Sequence, residues 1–327
     1  MQYAKRLNRL ALILLVATRL VAATLSPECQ AVNRKALVLL DGGRVAEVAA
    51  QLSQIVSQLD VSMHDSLCMG VTLSNLAHAL EYSGKLDAAE EAADRSAKLL
   101  GESFGPGSPA LCRPLLLLAR ISLEKRRLSK TASLLSRVEF LPVHEHADLA
   151  LTESLRAGLL NEERDFRGAA AAYRQSIAEW EEAGEGGSLD IQPELCNLAI
   201  LYVNEGRVPE GIALLERALR IAEDPSRDPN PGARIFLAAA VAYTRHKDLK
   251  KAEAYFQRAV VLLDRLPPAI RIRDGQAVYR KYATFLRTSG RKREAKDLEE
   301  RAHLLFGPDT SQQLVSIDSL LPKSNRH

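Results

Sequence analysis

Leu73, Leu76, Ala77 and Leu80, followed by Gly84 and then by Leu86, Ala89, Ala93 and Ser96, set a pattern that the chain repeats. It returns 122 residues later at Leu195, Leu198, Ala199, Tyr202, Gly206, Val208, Gly211, Leu215 and Ala218. Apolar and small residues recur three and four apart on either side of a glycine, which spells a helix, a turn and a second helix. This repetition constrains the fold more than any other feature, because one such hairpin cannot bury its own apolar face and must stack on its neighbours. The shift is close to three periods of about 41, and the intervening copies are present. One runs through Leu115, Leu118, Ala119, Arg126, Leu128 and Leu135; another places Arg164, Phe166, Ala169, Tyr173 and Ser176 80 residues beyond their counterparts, with Arg156 where a buried Leu belongs. Downstream copies contain Phe236, Ala240, Tyr243, Leu249, Ala252, Phe256 and Ala259, then Tyr279, Tyr282, Ala283, Leu286, Gly290, Ala295 and Ala302. Ala36, Leu39, Gly43, Val45, Leu52 and Ile55 suggest a degenerate first copy, which gives six to seven hairpins.

The residue types follow from packing. Helix axes 8–10 Å apart reach the closer end of that range only where small side chains meet, and Ala77, Ala89, Ala119, Ala199, Ala240, Ala252, Ala283 and Ala295 supply them. Gly84, Gly206 and Gly290 fall at the turn, where a left-handed backbone is cheapest for glycine. Pro- and Gly-rich clusters at 105–109, 141–143, 182–193, 223–232, 266–268 and 306–309 come near every second helix, so they read as loops of one array over residues 30–305. Residues 306–321 are expected to form a capping helix, and 322–327 a disordered tail.

With "LSNLA", "GKLDAAE" and the following "LGESFGPGSP", the chain resembles the tetratricopeptide repeat over roughly residues 30–320, in the longer variety of about 42 residues seen in kinesin light chains. The resemblance implies an all-α, right-handed superhelical solenoid of stacked hairpins. It also implies a non-catalytic scaffold that binds a peptide or partner protein in the concave groove lined by the first helices. Asn75 and Asn197, in "LSNLA" and "LCNLA", match the Asn that holds a peptide backbone in such repeats. His78, Arg120, Asn204, Arg245, Arg280 and Arg287 fall on helix positions expected to face the same side. That makes a mildly basic groove, suited to an acidic or carboxylate-bearing peptide.

Rival chemistries fail on context. Gly101-Glu102-Ser103-Phe104-Gly105 spells the G-x-S-x-G of serine hydrolases, but that motif needs a strand before it and a sheet beneath it; here a helix read as ending at Leu99-Leu100 precedes it and Pro106 follows. His144, Glu145 and His146 stand together without further ligands at metal spacing, and they read as a solvated helix start. Cys29, Cys68, Cys112 and Cys196 have no C-x-x-C spacing; they read as small buried residues, with a bridge among Cys29, Cys68 and Cys112 as the alternative in an oxidising compartment. No cofactor motif appears, and a net charge of +3 is too slight a surplus for nucleic acid.

At the N-terminus, Lys5, Arg6 and Arg9 precede an apolar run from Leu10 to Thr18 and a small-residue Val21-Ala22-Ala23 pattern. Residues 1–23 therefore read as a signal peptide and the protein as exported, periplasmic or secreted. Arg19 and the lack of acids before Glu28 leave an uncleaved membrane anchor or a mitochondrial presequence as alternatives. The rival functional reading is a membrane-anchored assembly factor or a regulatory module attached to an enzyme.

Overall fold

The computed structural model describes residues 25–41, 45–62, 66–143, 145–184, 191–222, 233–265 and 268–306. The expected signal peptide, capping helix and tail, together with His144, lie outside these residues. Among the described residues there are fourteen α-helices and no strand. They are α1 (Pro27–Asp41), α2 (Val45–Ser62), α3 (Ser66–Tyr82), α4 (Leu86–Phe104), α5 (Cys112–Glu124), α6 (Leu128–Glu139), α7 (His146–Glu162) and α8 (Phe166–Glu182) in a first compact unit that ends at Ala183. In a second unit, from Gly184, are α9 (Gln192–Asn204), α10 (Val208–Ala222), α11 (Ala233–Arg245), α12 (Leu249–Arg265), α13 (Pro268–Thr288) and α14 (Lys292–Phe306). The boundary falls inside the 182–193 cluster, which the sequence groups with the other inter-repeat loops.

Odd and even helices pair as antiparallel hairpins, and within each unit each hairpin packs on the next. The close approaches fall where the small residues predict them. Ala77, Ala119, Ala157, Ala199, Ala240 and Ala283 of the first helices are completely buried, as are Ala89, Thr131, Ala169, Ala252 and Ala295 of the second. Gly211 holds that second-helix position in α10, where a Cβ would come 2.6 Å from Val203 Cγ2 and 2.9 Å from the Ala199 carbonyl oxygen. A serine fixes the same contact twice in the first unit. Ser96 Oγ donates to the Gly70 carbonyl at 2.7 Å and Ser176 Oγ to the Ala150 carbonyl at 2.8 Å. Ala157 also settles the register of α7: Arg156 takes the place of Leu76, and its guanidinium reaches out to Glu139 at 2.6 Å and Glu153 at 3.2 Å instead of entering the core.

The turn repeats as faithfully. Gly84, Gly206 and Gly290 have φ of 73°, 84° and 80°, and at the same position Arg126, Arg164 and Lys247 adopt 56°, 66° and 64°. Behind each, the next amide closes onto the carbonyl five residues back, from Lys85 N–H to Leu80 at 2.9 Å through Arg291 N–H to Leu286 at 2.9 Å. This six-residue closure satisfies the orphan carbonyls at the helix end.

The two units fill their cores differently. The first relies on Leu73, Leu111, Leu115, Leu117, Leu118 and Ile121, with Trp180 as its largest fully buried side chain. The second adds stacked rings, with Tyr243 and Tyr255 centroids 5.5 Å apart and Phe256 and Tyr282 5.1 Å apart.

Candidate functional site

In the first unit the inner side chains of α1, α3, α5 and α7 bond to one another. A disulfide joins Cys29 on α1 to Cys68 on α3, with Cα atoms 5.8 Å apart; Cys112 and Cys196 are buried and take part in no disulfide. The bridged alternative therefore holds for one pair, and the small-buried-residue reading for the other two cysteines. Beside the bridge, Asn33 Nδ2 donates to the Cys29 carbonyl at 3.0 Å and to Thr72 Oγ1 at 3.2 Å. Asn33 Oδ1 accepts from Asn75 Nδ2 at 2.7 Å. Asn75, only 6% exposed, is thus covered by α1 and committed to it.

His78 and Arg120, one repeat apart, also meet. Arg120 Nη2 lies 3.4 Å from His78 Nδ1 and donates to Glu81 Oε2 at 2.8 Å. Burial, with the positive charges of Arg120 and Arg113 behind it, holds His78 down to about 3, so the imidazole is neutral. Arg113 forms an ion pair with Asp148 of α7, the two side chains 8% and 2% exposed. Burial raises the Asp148 carboxyl while Arg113 opposes the rise, and burial and then Asp148 push the adjacent Cys112 thiol up. A thiol held protonated is no nucleophile. The outer side is equally compensated: Glu90 of α4 receives Lys125 at 2.5 Å, Lys130 at 2.7 Å and Arg127 at 2.8 Å. Burial would raise its carboxyl, but the hydrogen bonds from Lys125 and Lys130 outweigh that and take it down to about 2.

In the second unit the first helices α9, α11 and α13 pack in succession. Arg234 of α11 donates to Asn197 Oδ1 at 2.7 Å, so this Asn is tied forward to the next repeat where Asn75 is tied back. Arg245, at the end of α11, donates to the Val203 carbonyl of α9 at 2.7 Å, and burial lowers its guanidinium. Asn204 is half-buried at the end of α9. Arg280 and Lys281 are half-buried on α13. Burial, and after it the charges of Arg280 and Arg245, hold the Lys281 ammonium below its usual range. Arg287 is exposed and donates to Glu299 Oε2 of α14 at 2.5 Å, inside its own hairpin. Lys281 and Arg234 escaped the sequence reading. The repeat itself could have found Lys281, which stands at the position of Asn75 and Asn197 in the last copy.

The charge on these helices differs by unit. Helices α9, α11 and α13 carry seven Lys and Arg against Glu194 and Asp274. Helices α1, α3, α5 and α7 carry five Lys and Arg against seven Asp and Glu.

The G-x-S-x-G segment is not a strand-to-helix elbow. Helix α4 runs on through it to Phe104, past the expected end at Leu99-Leu100, and Gly105 at φ 86° stops it. The exposed Ser103 Oγ donates to the Leu99 carbonyl at 2.8 Å. His146 Nδ1 lies 2.8 Å from Glu179 Oε2 on α8, and among the described residues no His, Cys, Asp and Glu gather in threes at metal-binding distance. No helix among them is long and apolar enough to cross a membrane.

Residues 194–263 and 70–110 each match a family model described as tetratricopeptide repeat. The chain is a tetratricopeptide-repeat protein. No curated protein sequence matches it. Among solved structures, BtubC (BKLC) from P. vanneervenii is 21% identical, with 67% of this tetratricopeptide-repeat chain and 90% of that one covered and a TM-score of 0.54. The apo form of the quorum sensor NprR from B. thuringiensis is 13% identical, covering 85% and 76% with a TM-score of 0.68. A Rap protein complexed with competence and sporulation factor is 11% identical, covering 84% and 73% with a TM-score of 0.60. The likeness is one of fold: stacked helical hairpins.

Proposed function

We propose that this tetratricopeptide-repeat protein is an exported, non-catalytic scaffold that holds a partner protein or peptide against its first helices. The observation that carries the reading is the charge of the second unit's first helices: α9, α11 and α13 hold seven basic residues and two acidic ones, and Arg245 of α11 reaches the Val203 carbonyl of α9 at 2.7 Å. A cationic face of that kind suits an acidic partner, because charge-assisted hydrogen bonds to carboxylates are about twice as strong as neutral ones. The Rap structure similar to this chain is a complex with competence and sporulation factor, so the fold is compatible with such a role. Export is supported by the pattern of residues 1–23 and by the Cys29–Cys68 disulfide, which persists in oxidising compartments.

The test is capture of partners from the native host by tagged protein, with N-terminal sequencing of the mature chain. A partner that co-elutes at low salt and is released at high salt, on a chain that begins after Ala23, is the expected result. Absence of any stoichiometric partner would contradict the scaffold, and an intact N-terminus would contradict cleavage.

A further inference from the structure

The turns that close the hairpins differ in how their charge is matched. In the first unit the basic turn between α5 and α6 is neutralised: Lys125, Arg127 and Lys130 all meet Glu90, and Arg126 meets Glu162 at 2.9 Å. In the second unit Arg207, between α9 and α10, is matched by Glu210 at 3.1 Å and Glu205 at 3.8 Å. The last two turns depart from that pattern. Lys247 and Lys250, at the turn from α11 into α12, and Lys292 and Arg293, at the turn from α13 into α14, are exposed and pair with no carboxylate among the described residues. The acids beside them are committed elsewhere: Asp248 accepts from the Lys251 backbone N–H at 3.1 Å, and Glu294 holds Arg291 at 2.5 Å. Arg291 also reaches back to Glu253 on α12, which sets the two turns side by side. Between Lys247 and Lys250 stands Leu249, 51% exposed.

We propose that this turn edge of the second unit docks on an anionic lipid surface, with Lys247, Lys250, Lys292 and Arg293 against the headgroup phosphates and Leu249 in the interface between them. Charge complementarity selects the occupant. Stacked hairpins present successive turns along one edge, so a flat anionic surface can meet all four cations at once. Exposed cations are drawn to the negative surface potential of such a bilayer, and an apolar side chain among them adds burial at the headgroup boundary. A nucleic acid would need a ring on which a base could stack. Tyr243, the ring at this end of α11, is buried, and the Lys251 ammonium covers it 4.9 Å from the centroid. This edge is distinct from the inner face of the first helices, and its role does not depend on the partner proposed above.

The experiment sediments the full chain with vesicles of phosphatidylcholine alone or with about one third phosphatidylglycerol, at about 0.05 and 0.5 M NaCl. Charge-independent pelleting through the apolar run of residues 10–18 is common to all variants and is subtracted with the neutral vesicles. The chain is expected to pellet with anionic vesicles beyond that background at low salt and to lose the excess at high salt. Lys247→Gln with Lys250→Gln, Lys292→Gln and Arg293→Gln should weaken the excess binding about tenfold or more. Lys35→Gln with Lys98→Gln, Arg137→Gln and Arg220→Gln removes the same charge from exposed positions along other helices and should change it less than about twofold. Leu249→Ser leaves the charge intact and should weaken it about threefold or more. Circular dichroism checks that all three variants keep their helicity. Equal pelleting with both vesicle types, equal weakening by the two quadruple variants, or no effect of Leu249→Ser would overturn the inference. Saturable binding of a short DNA duplex that the first quadruple variant loses, without an excess on anionic vesicles, would overturn it in favour of a nucleic acid.

Discussion

Asn75 and Asn197 occupy the same place in nearly identical pentapeptides, and the two units use them differently. In the first unit Asn75 bonds back to Asn33 beneath a helix tethered by a disulfide. In the second, Asn197 takes a bond from Arg234 of the following repeat. The first unit pairs Arg113 and Arg120 with its own carboxylates and holds His78 neutral; the second carries seven basic residues against two acidic ones on α9, α11 and α13. A shared repeat therefore fixes where a side chain stands and leaves open whether it serves the stack or a partner. That outcome is set by the residue one repeat away.

Removing the bridge should produce the largest effect, and in the first unit only. Closing a loop of 39 residues contributes about 4 kcal/mol by the chain-entropy relation. Cys29→Ser with Cys68→Ser should lower the melting of the first unit by that amount and raise the hydrogen exchange of α1 and α3. Unchanged exchange there would mean that noncovalent packing alone secures α1.

The second unit has its own weak point. Ala199→Leu puts a large side chain into a hairpin so close that even a Cβ on Gly211 would sit 2.9 Å from the Ala199 carbonyl oxygen. Overpacking of this kind costs about 1–3 kcal/mol. Melting equal to wild type would refute the register assigned to α9 and α10.

Acid should separate the units further. His78 binds its proton near pH 3 in the folded chain and near 6.5 in the unfolded one, so its neutral form contributes fully above 6.5 and the contribution is lost as pH falls toward 3. Each pH unit in that window costs up to about 1.4 kcal/mol. His78→Gln cannot charge, and its melting should fall less than wild type between pH 7 and pH 5. Parallel pH profiles would mean that His78 accepts its proton in the fold.

The smallest effect tests a feature the units share. Arg126, Arg164 and Lys247 hold the left-handed turn that glycine fills elsewhere, so each replacement by Gly should stabilise by about 1 kcal/mol. A gain in both units would show that the turn is indifferent to the charge around it; a loss at Lys247 alone would show that it is not.

The stack was legible because its determinants are local and repeated. Ala77 and its counterparts recur wherever two helix axes come closest, and the turn glycines mark every reversal that uses one. Even Arg126, Arg164 and Lys247 could be placed by counting from Gly84. The inner face was less legible because its chemistry depends on contacts between repeats, over separations of 35 to 42 residues, between side chains whose types vary. His78 and Arg120 both read as peptide donors, and nothing local to either shows that they would meet each other and Glu81. Asn33 gave no signal that it would cover Asn75. Lys281 went unseen because its position varies between copies, with Leu117, Leu155 and Ala238 standing there as well as Asn75 and Asn197.

The central claim, that partner binding falls on the basic first helices of the second unit, is tested most directly by hydrogen–deuterium exchange on the full chain with and without the partner captured from the native host. Protection confined to α9, α11 and α13, with α3 and α5 unchanged, is the predicted result. Protection of α3 and α5, or an equal change over both units, would contradict it.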